Sequence, residues 1–62
     1  MSLILHWGGA RHRQVDDVPD GELATGLLVY DGPQWFGVYV RFEPHRVEQT
    51  ERGPAEVWTV RE

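Results

Sequence analysis

The side chains able to do chemistry in this chain are few. His6, His12 and His45 are the only imidazoles, and the absence of cysteine excludes disulfides, thiolate metal sites and thiol catalysis. A metal site or general base built on histidine needs two such groups to converge with a carboxylate. The hydroxyls are Ser2, Thr25, Thr50, Thr59, Tyr30 and Tyr39, none in a tight Gly-flanked turn that would expose a nucleophile. No Gly-rich loop leads into a helical pattern, so a phosphate cradle is missing too. The expectation is a chain with no catalytic residues, no metal and no cofactor.

Two charged clusters remain. Asp16, Asp17, Asp20 and Glu22 gather oxygens as a hard cation requires, but their spacing does not match a calcium loop and Pro19 interrupts it. They read as a solvated acidic connector that could steer a basic partner. Arg11-His12-Arg13 is the one basic cluster, and with Trp7 it offers charge and stacking to a nucleic acid. Against that stand six Arg and no Lys facing ten Asp and Glu, a formal charge of −4. Non-specific affinity for phosphate backbones rests on basic excess, so a nucleic-acid contact through Trp7, Arg11 and Arg13 is the second reading.

The elements that must position these residues are short. A chain of 62 residues is one domain, and folding at this size buries only about 60% of the unfolded surface. With no disulfide, stability must come from a partner or from dense packing of its three Trp, two Tyr and two Phe. No window holds a helical apolar period. β-branched and aromatic residues cluster instead in runs that predict strands near residues 2–7, 10–15, 22–30, 34–42, 45–51 and 55–61, with at most one helical turn around 16–21. The apolar stretch Leu3–Leu5 is too short for a secretory core or a membrane span, which predicts a cytoplasmic location with no membrane partner. Abundant Arg, Gly, Val and Pro without Lys or Asn is the usage of GC-rich codons, and points to a high-GC bacterium, such as an actinobacterium, or to a bacteriophage.

Turn chemistry predicts three hairpins. Gly8-Gly9 suits a two-residue turn that would set Trp7 against Ala10 and send His6 and His12 to opposite faces. Asp31-Gly32 would pair Leu28 with Trp35, Leu27 with Phe36, Gly26 with Gly37 and Glu22 with Arg41, with Pro33 as the awkward member. Arg52-Gly53 would set Val47 against Trp58 and His45 beside Val60, and Glu43-Pro44 would form a corner before it. Five or six strands so joined predict an all-β antiparallel meander, curled or closed as a small barrel of SH3-like proportions.

Both faces of the central hairpin are apolar, whereas a one-sided sheet would alternate with polar residues. Leu23, Thr25, Leu27, Phe36, Val38 and Val40 are expected to form the core. The opposite face, Leu28, Tyr30, Trp35 and Tyr39 framed by Glu22 and Arg41, must then be covered either by the rest of the chain, with Trp35 and Tyr39 lying over a neighbouring strand or loop, or by another molecule; because Tyr, Trp and Arg are enriched at interface hot spots, it is the candidate surface for a protein partner or a homo-oligomer. The leading functional expectation is a non-catalytic protein-interaction or self-assembling β module.

Overall fold

The computed structural model describes residues 2–61 as six strands in one curled, mixed sheet that forms a half-barrel. The strands are β1 (Ser2–Trp7), β2 (Val15–Val18), β3 (Leu27–Asp31), β4 (Phe36–Arg41), β5 (Val47–Thr50) and β6 (Gly53–Val60). Their order is β2-β1-β6-β4-β3, with β5 also paired to β6. The acidic run expected as a connector is instead divided between β2, which holds Asp16 and Asp17 in register with β1, and one helical turn, α1 (Asp20–Leu23); a 3₁₀ turn covers Gly9–Arg11. The small all-β architecture is as expected; the purely antiparallel meander is not. β1 runs parallel to β6, with Leu5 opposite Val57 and His6 opposite Trp58. Its run Leu3-Ile4-Leu5 is apolar on both faces, which suits a strand flanked on both edges rather than one arm of a terminal hairpin.

Gly8-Gly9 does not close a hairpin. β1 pairs with β2 through Leu5 and Val15, so residues 8–14 form a wide loop and the strand expected at 10–15 is absent. The two glycines have φ of +86° and +68°, but they serve an approach rather than a turn: a Cβ on Gly9 would stand 2.9 Å from the Tyr39 hydroxyl. The strand expected over 22–30 is split, its first residues forming α1 and Gly26 lying in the turn before β3.

At Asp31-Gly32 the chain does reverse, through the four-residue loop 32–35. Leu28 faces Tyr39, Tyr30 faces Gly37 and Asp31 faces Phe36. The last hairpin turns at Glu51-Arg52, with Thr50 opposite Gly53 and Val47 opposite Glu56. Both registers differ from expectation by an even number of residues, which leaves side chains on their expected faces. β4 and β5 follow one edge of β6, and the corner between them contains a cis Glu43-Pro44 bond. Across it the Val57 C=O accepts from the Phe42 N–H and the Val57 N–H donates to the Arg46 C=O.

Which face is inside is the main correction. The main core cluster is Ile4, Val18, Leu23, Leu28, Tyr39 and Trp58 around a fully buried His6, with Tyr30, Trp35 and Val60 packed against it; Ala55 and Val57 of β6 are buried outside this cluster. Leu27 and Phe36, expected in the core, are exposed, and Val38 and Val40 face the same way. Gly37 explains part of the choice. A Cβ there would lie 2.1 Å from the Trp35 ring, so the missing side chain is the notch into which the indole fits.

Gly37→Ala is therefore expected to destabilise the fold by about 1–3 kcal/mol by forcing Trp35 out of place. Gly21, in α1 with open space around its α-carbon, is the control: Gly21→Ala should be neutral or stabilising by up to about 1 kcal/mol. Chemical denaturation of the two variants checks both.

Candidate interaction face

The interior holds the most conspicuous group of functional side chains. The buried His6 ring meets Tyr39 edge-on at 4.9 Å between centroids and Tyr30 at 5.3 Å. Its Nδ1 lies 2.9 Å from the Gln14 C=O, which can only accept, so Nδ1 carries the proton and Nε2 accepts from the Tyr30 hydroxyl at 2.5 Å. Burial lowers the His6 pKa below the ordinary imidazole value, opposed by the Gln14 hydrogen bond and by Asp16. Burial likewise raises that of Tyr30. With both ring nitrogens taken by protein groups, this is a neutral structural histidine and not an available base.

The residues expected to meet a partner are mostly drawn into this interior. Leu28 and Tyr39 are buried and Tyr30 and Trp35 half-buried against them. Arg41 faces Trp58 in the ladder, its guanidinium 4.9 Å from the indole and its Nε 2.9 Å from Glu56. Glu22 is exposed on α1 and does not pair with Arg41. The alternative trio is divided. Arg11 lies 4.0 Å over the Tyr30 ring and 3.7 Å from Asp16, whereas Trp7 is on the opposite side of the sheet, edge-on to His12. Arg13, at φ +69°, donates its backbone N–H to the His6 C=O. His45, expected half-buried beside Val60, is exposed and bonded to Glu56 at 2.7 Å. Among the described residues no cluster of three or more His, Asp or Glu could hold a metal.

The outer face of the sheet is what sequence reasoning missed. Registers place Trp7, Thr59, Val40 and Leu27 in one row across four strands, with Val38 and Val29 paired beside it. Phe36 is 63% exposed, Val29 58%, Trp7 47% and Leu27 41%. Single exposed apolar residues are ordinary; a contiguous apolar surface marks a contact site. Trp7 borders a cleft of about 150 Å³ lined by Leu5, Phe42, Val57 and the ion-paired Arg46 and Glu48. β3 also ends the sheet. Because the Gly32 N–H donates to the Trp35 C=O, alternation along the ladder turns the backbone groups of Val29 and Asp31 toward the open edge, while the Thr25 hydroxyl takes the Leu27 N–H.

One signal in the sequence could have located this face. Gly37, the glycine that makes room for an indole, shares the side of Tyr39 and Trp35, which marks that side as the one able to close over large rings. Comparison with family models, curated proteins and solved structures finds no match.

The depressed His6 pKa has a consequence for stability. Above the ordinary imidazole value, near about 6.5, the ring is neutral folded or unfolded and the fold keeps its full stability. Below that value the unfolded chain takes up the proton first, so stability falls with pH until the lower folded value is reached. Thermal melts from neutral to mildly acidic pH should show this loss, at most about 1.4 kcal/mol per pH unit for one proton. The slope should flatten in His6→Gln, whatever its baseline stability.

Proposed function

We propose that this chain is a small non-catalytic protein-binding module whose working surface is the outer face of β3 and β4. Leu27, Val29 and Phe36 are its contact residues. The observation that carries the reading is the exposure of these three side chains together on the outer side of the β3–β4 pair, where Val38 and Val40 lie between them. Interface centres are apolar and aromatic, and the β3–β4 part of this face has that character, with Asp31 at one end and Arg61 beside Val38. The open edge of β3 adds backbone donors and acceptors that a polypeptide can satisfy. Catalysis has little to build on, since His6 is sealed in the interior with both nitrogens occupied. Engagement of basic side chains within the chain weighs against a nucleic-acid contact: Arg11 is held against Tyr30 and Asp16, Arg46 is paired with Glu48 and Arg52 with Asp17.

Immobilised chain challenged with an extract of the cells that encode it should retain a polypeptide, whether another protein or its own free copy. Retention should be lost in Val29→Glu and kept when Arg11 and Arg13 are both replaced by Ala. Because Val29 points outward, Val29→Glu should keep the wild-type fold by circular dichroism. Oligonucleotide binding at low salt that disappears in the Arg11 and Arg13 variant, with no polypeptide retained, overturns the proposal.

A further inference from the structure

The sheet stops at half a barrel and so has open edges, which the chain treats unequally. β2 ends it on one side, capped by Arg52 from the last turn, which donates to the Val15 C=O at 3.0 Å and to the Asp17 carboxylate at 2.8 Å. β5 has only four residues and carries Glu48, bound to Arg46. Edge strands are blunted in these ways, by charge, shortness or a covering group. β3 ends the sheet on the other side with no proline and no basic side chain along it. The Thr25 hydroxyl takes the Leu27 N–H, but among the described residues nothing bonds to the N–H or C=O of Val29 or Asp31. We infer that β3 receives an added strand: an extended segment of a partner polypeptide, antiparallel to β3, bonded to Val29 and Asp31 and carrying a basic side chain opposite Asp31. The inference rests on the binding reading given above and names the form of the partner.

The register follows from the ladder already present. Leu28 and Tyr30 turn their backbone groups to β4, and Val29 and Asp31 turn theirs away. Facing residues of a hydrogen-bonded antiparallel pair exchange both bonds, so the ligand residues opposite Val29 and Asp31 each gain an N–H and a C=O partner; parallel addition is less stable per residue. The ligand residue between them, opposite Tyr30, keeps its own N–H and C=O turned to solvent. Alternation then sorts the ligand side chains. Those opposite Val29 and Asp31 lie on the outer face. The one opposite Tyr30 points inward, where a recess of about 600 Å³ lies between β3 and the loop residues Arg11 and Gln14. The one opposite Leu28 meets a second recess of about 260 Å³, bordered by Glu22 and Thr25.

Charge selects the occupant. Asp31, and Glu22 beside the Leu28 recess, make no ion pair with the described residues, and the chain as a whole stands at −4. Arg11 does not neutralise Asp31: it lies over the Tyr30 ring on the inner side and 3.7 Å from Asp16, whereas Asp31 shares the outer side with Phe36. A second copy of the chain would bring another β3, which has no basic residue to set against Asp31, and a further −4 behind it. A basic segment of a different protein is the complement. Its residue opposite Val29 is apolar and β-branched, because Val29 and Leu27 are exposed beside it. From the ligand N-terminus the pattern is thus a basic residue, a polar one and a β-branched apolar one. Backbone pairing supplies the affinity and the alternate side chains the choice of ligand.

Capped peptides acetyl-Thr-X-Thr-Z-Thr-Thr-amide, with X and Z varied, test the inference by nuclear magnetic resonance titration of the full chain up to millimolar peptide. X then stands opposite Asp31 and Z opposite Val29. The expected result is saturable binding, strongest with Arg or Lys at X and Val or Ile at Z. Hydrogen exchange should slow at the Val29 and Asp31 amides and change little at Leu28 and Tyr30, which already face β4. N-methylation of X or Z should weaken binding by about tenfold, and N-methylation of the threonine between them should leave it unchanged. Asp31 is exposed, so Asp31→Arg should keep the fold by circular dichroism and reverse the preference at X from Arg to Glu. No saturable binding by any peptide, or binding indifferent to which nitrogen is methylated, overturns the inference. So does protection of the Val29 and Asp31 amides that grows with the concentration of the chain alone, which makes a second copy the occupant. If the inference fails while a polypeptide from the extract is still retained in a Val29-dependent way, the outer face binds without the edge and the binding reading stands. If nothing is retained, both are lost.

Discussion

The hydroxyl of Tyr39 is the constraint around which the fold is arranged. Its ring is fully buried between His6 and Trp35, at the centre of the curled sheet. A phenol in that position has to find hydrogen-bond partners, because an unmet buried hydroxyl costs on the order of several kcal/mol. The partners come from the loop after β1: the Gly8 C=O accepts from it and the Arg11 N–H donates to it. The loop can reach so far inward only because Gly8 and Gly9 lack side chains there and tolerate positive φ. The local preference of Gly8-Gly9 for a tight hairpin is therefore overridden by a requirement set by a residue thirty positions away.

The same requirement orders the rest of the interior. Once the loop lies over Tyr39, Gln14 presents its C=O to His6, and His6 accepts from Tyr30 in turn. Every buried side-chain nitrogen and oxygen among the described residues has a partner. Such a network holds each member in one orientation, because moving any of them strands another. The interior is thus aromatic and hydrogen-bonded throughout its described side chains.

Complementary to this is the state of the outer face. Filling the half-barrel with Trp58, Tyr39, Tyr30 and Trp35 leaves no room inside for the aliphatic residues on the other side of β3 and β4. Leu27, Val29 and Phe36 are exposed, with none of the described elements folded over them. An antiparallel hairpin that is apolar on both sides is a sheet with two surfaces to bury and one core to bury them in.

Much of this was legible along the chain. Alternation with a period of two, turn residues and the lack of any helical period were enough to require a small all-β domain, a reversal at Asp31-Gly32 and the separation of Leu28, Tyr30 and Tyr39 from Leu27, Val29 and Phe36. Those properties are local, and the even register shifts left them intact. Which of the two groups lies inside is marked within the hairpin only by Gly37, the gap on the Tyr39 side, because both groups are apolar and each would serve as a core. That was settled by residues distant in sequence: Ile4 and His6 from the first strand and Trp58 from the last, brought together by parallel pairing that no short-range pattern encodes. A strand reports which of its side chains travel together; the inward direction is a property of what packs against it.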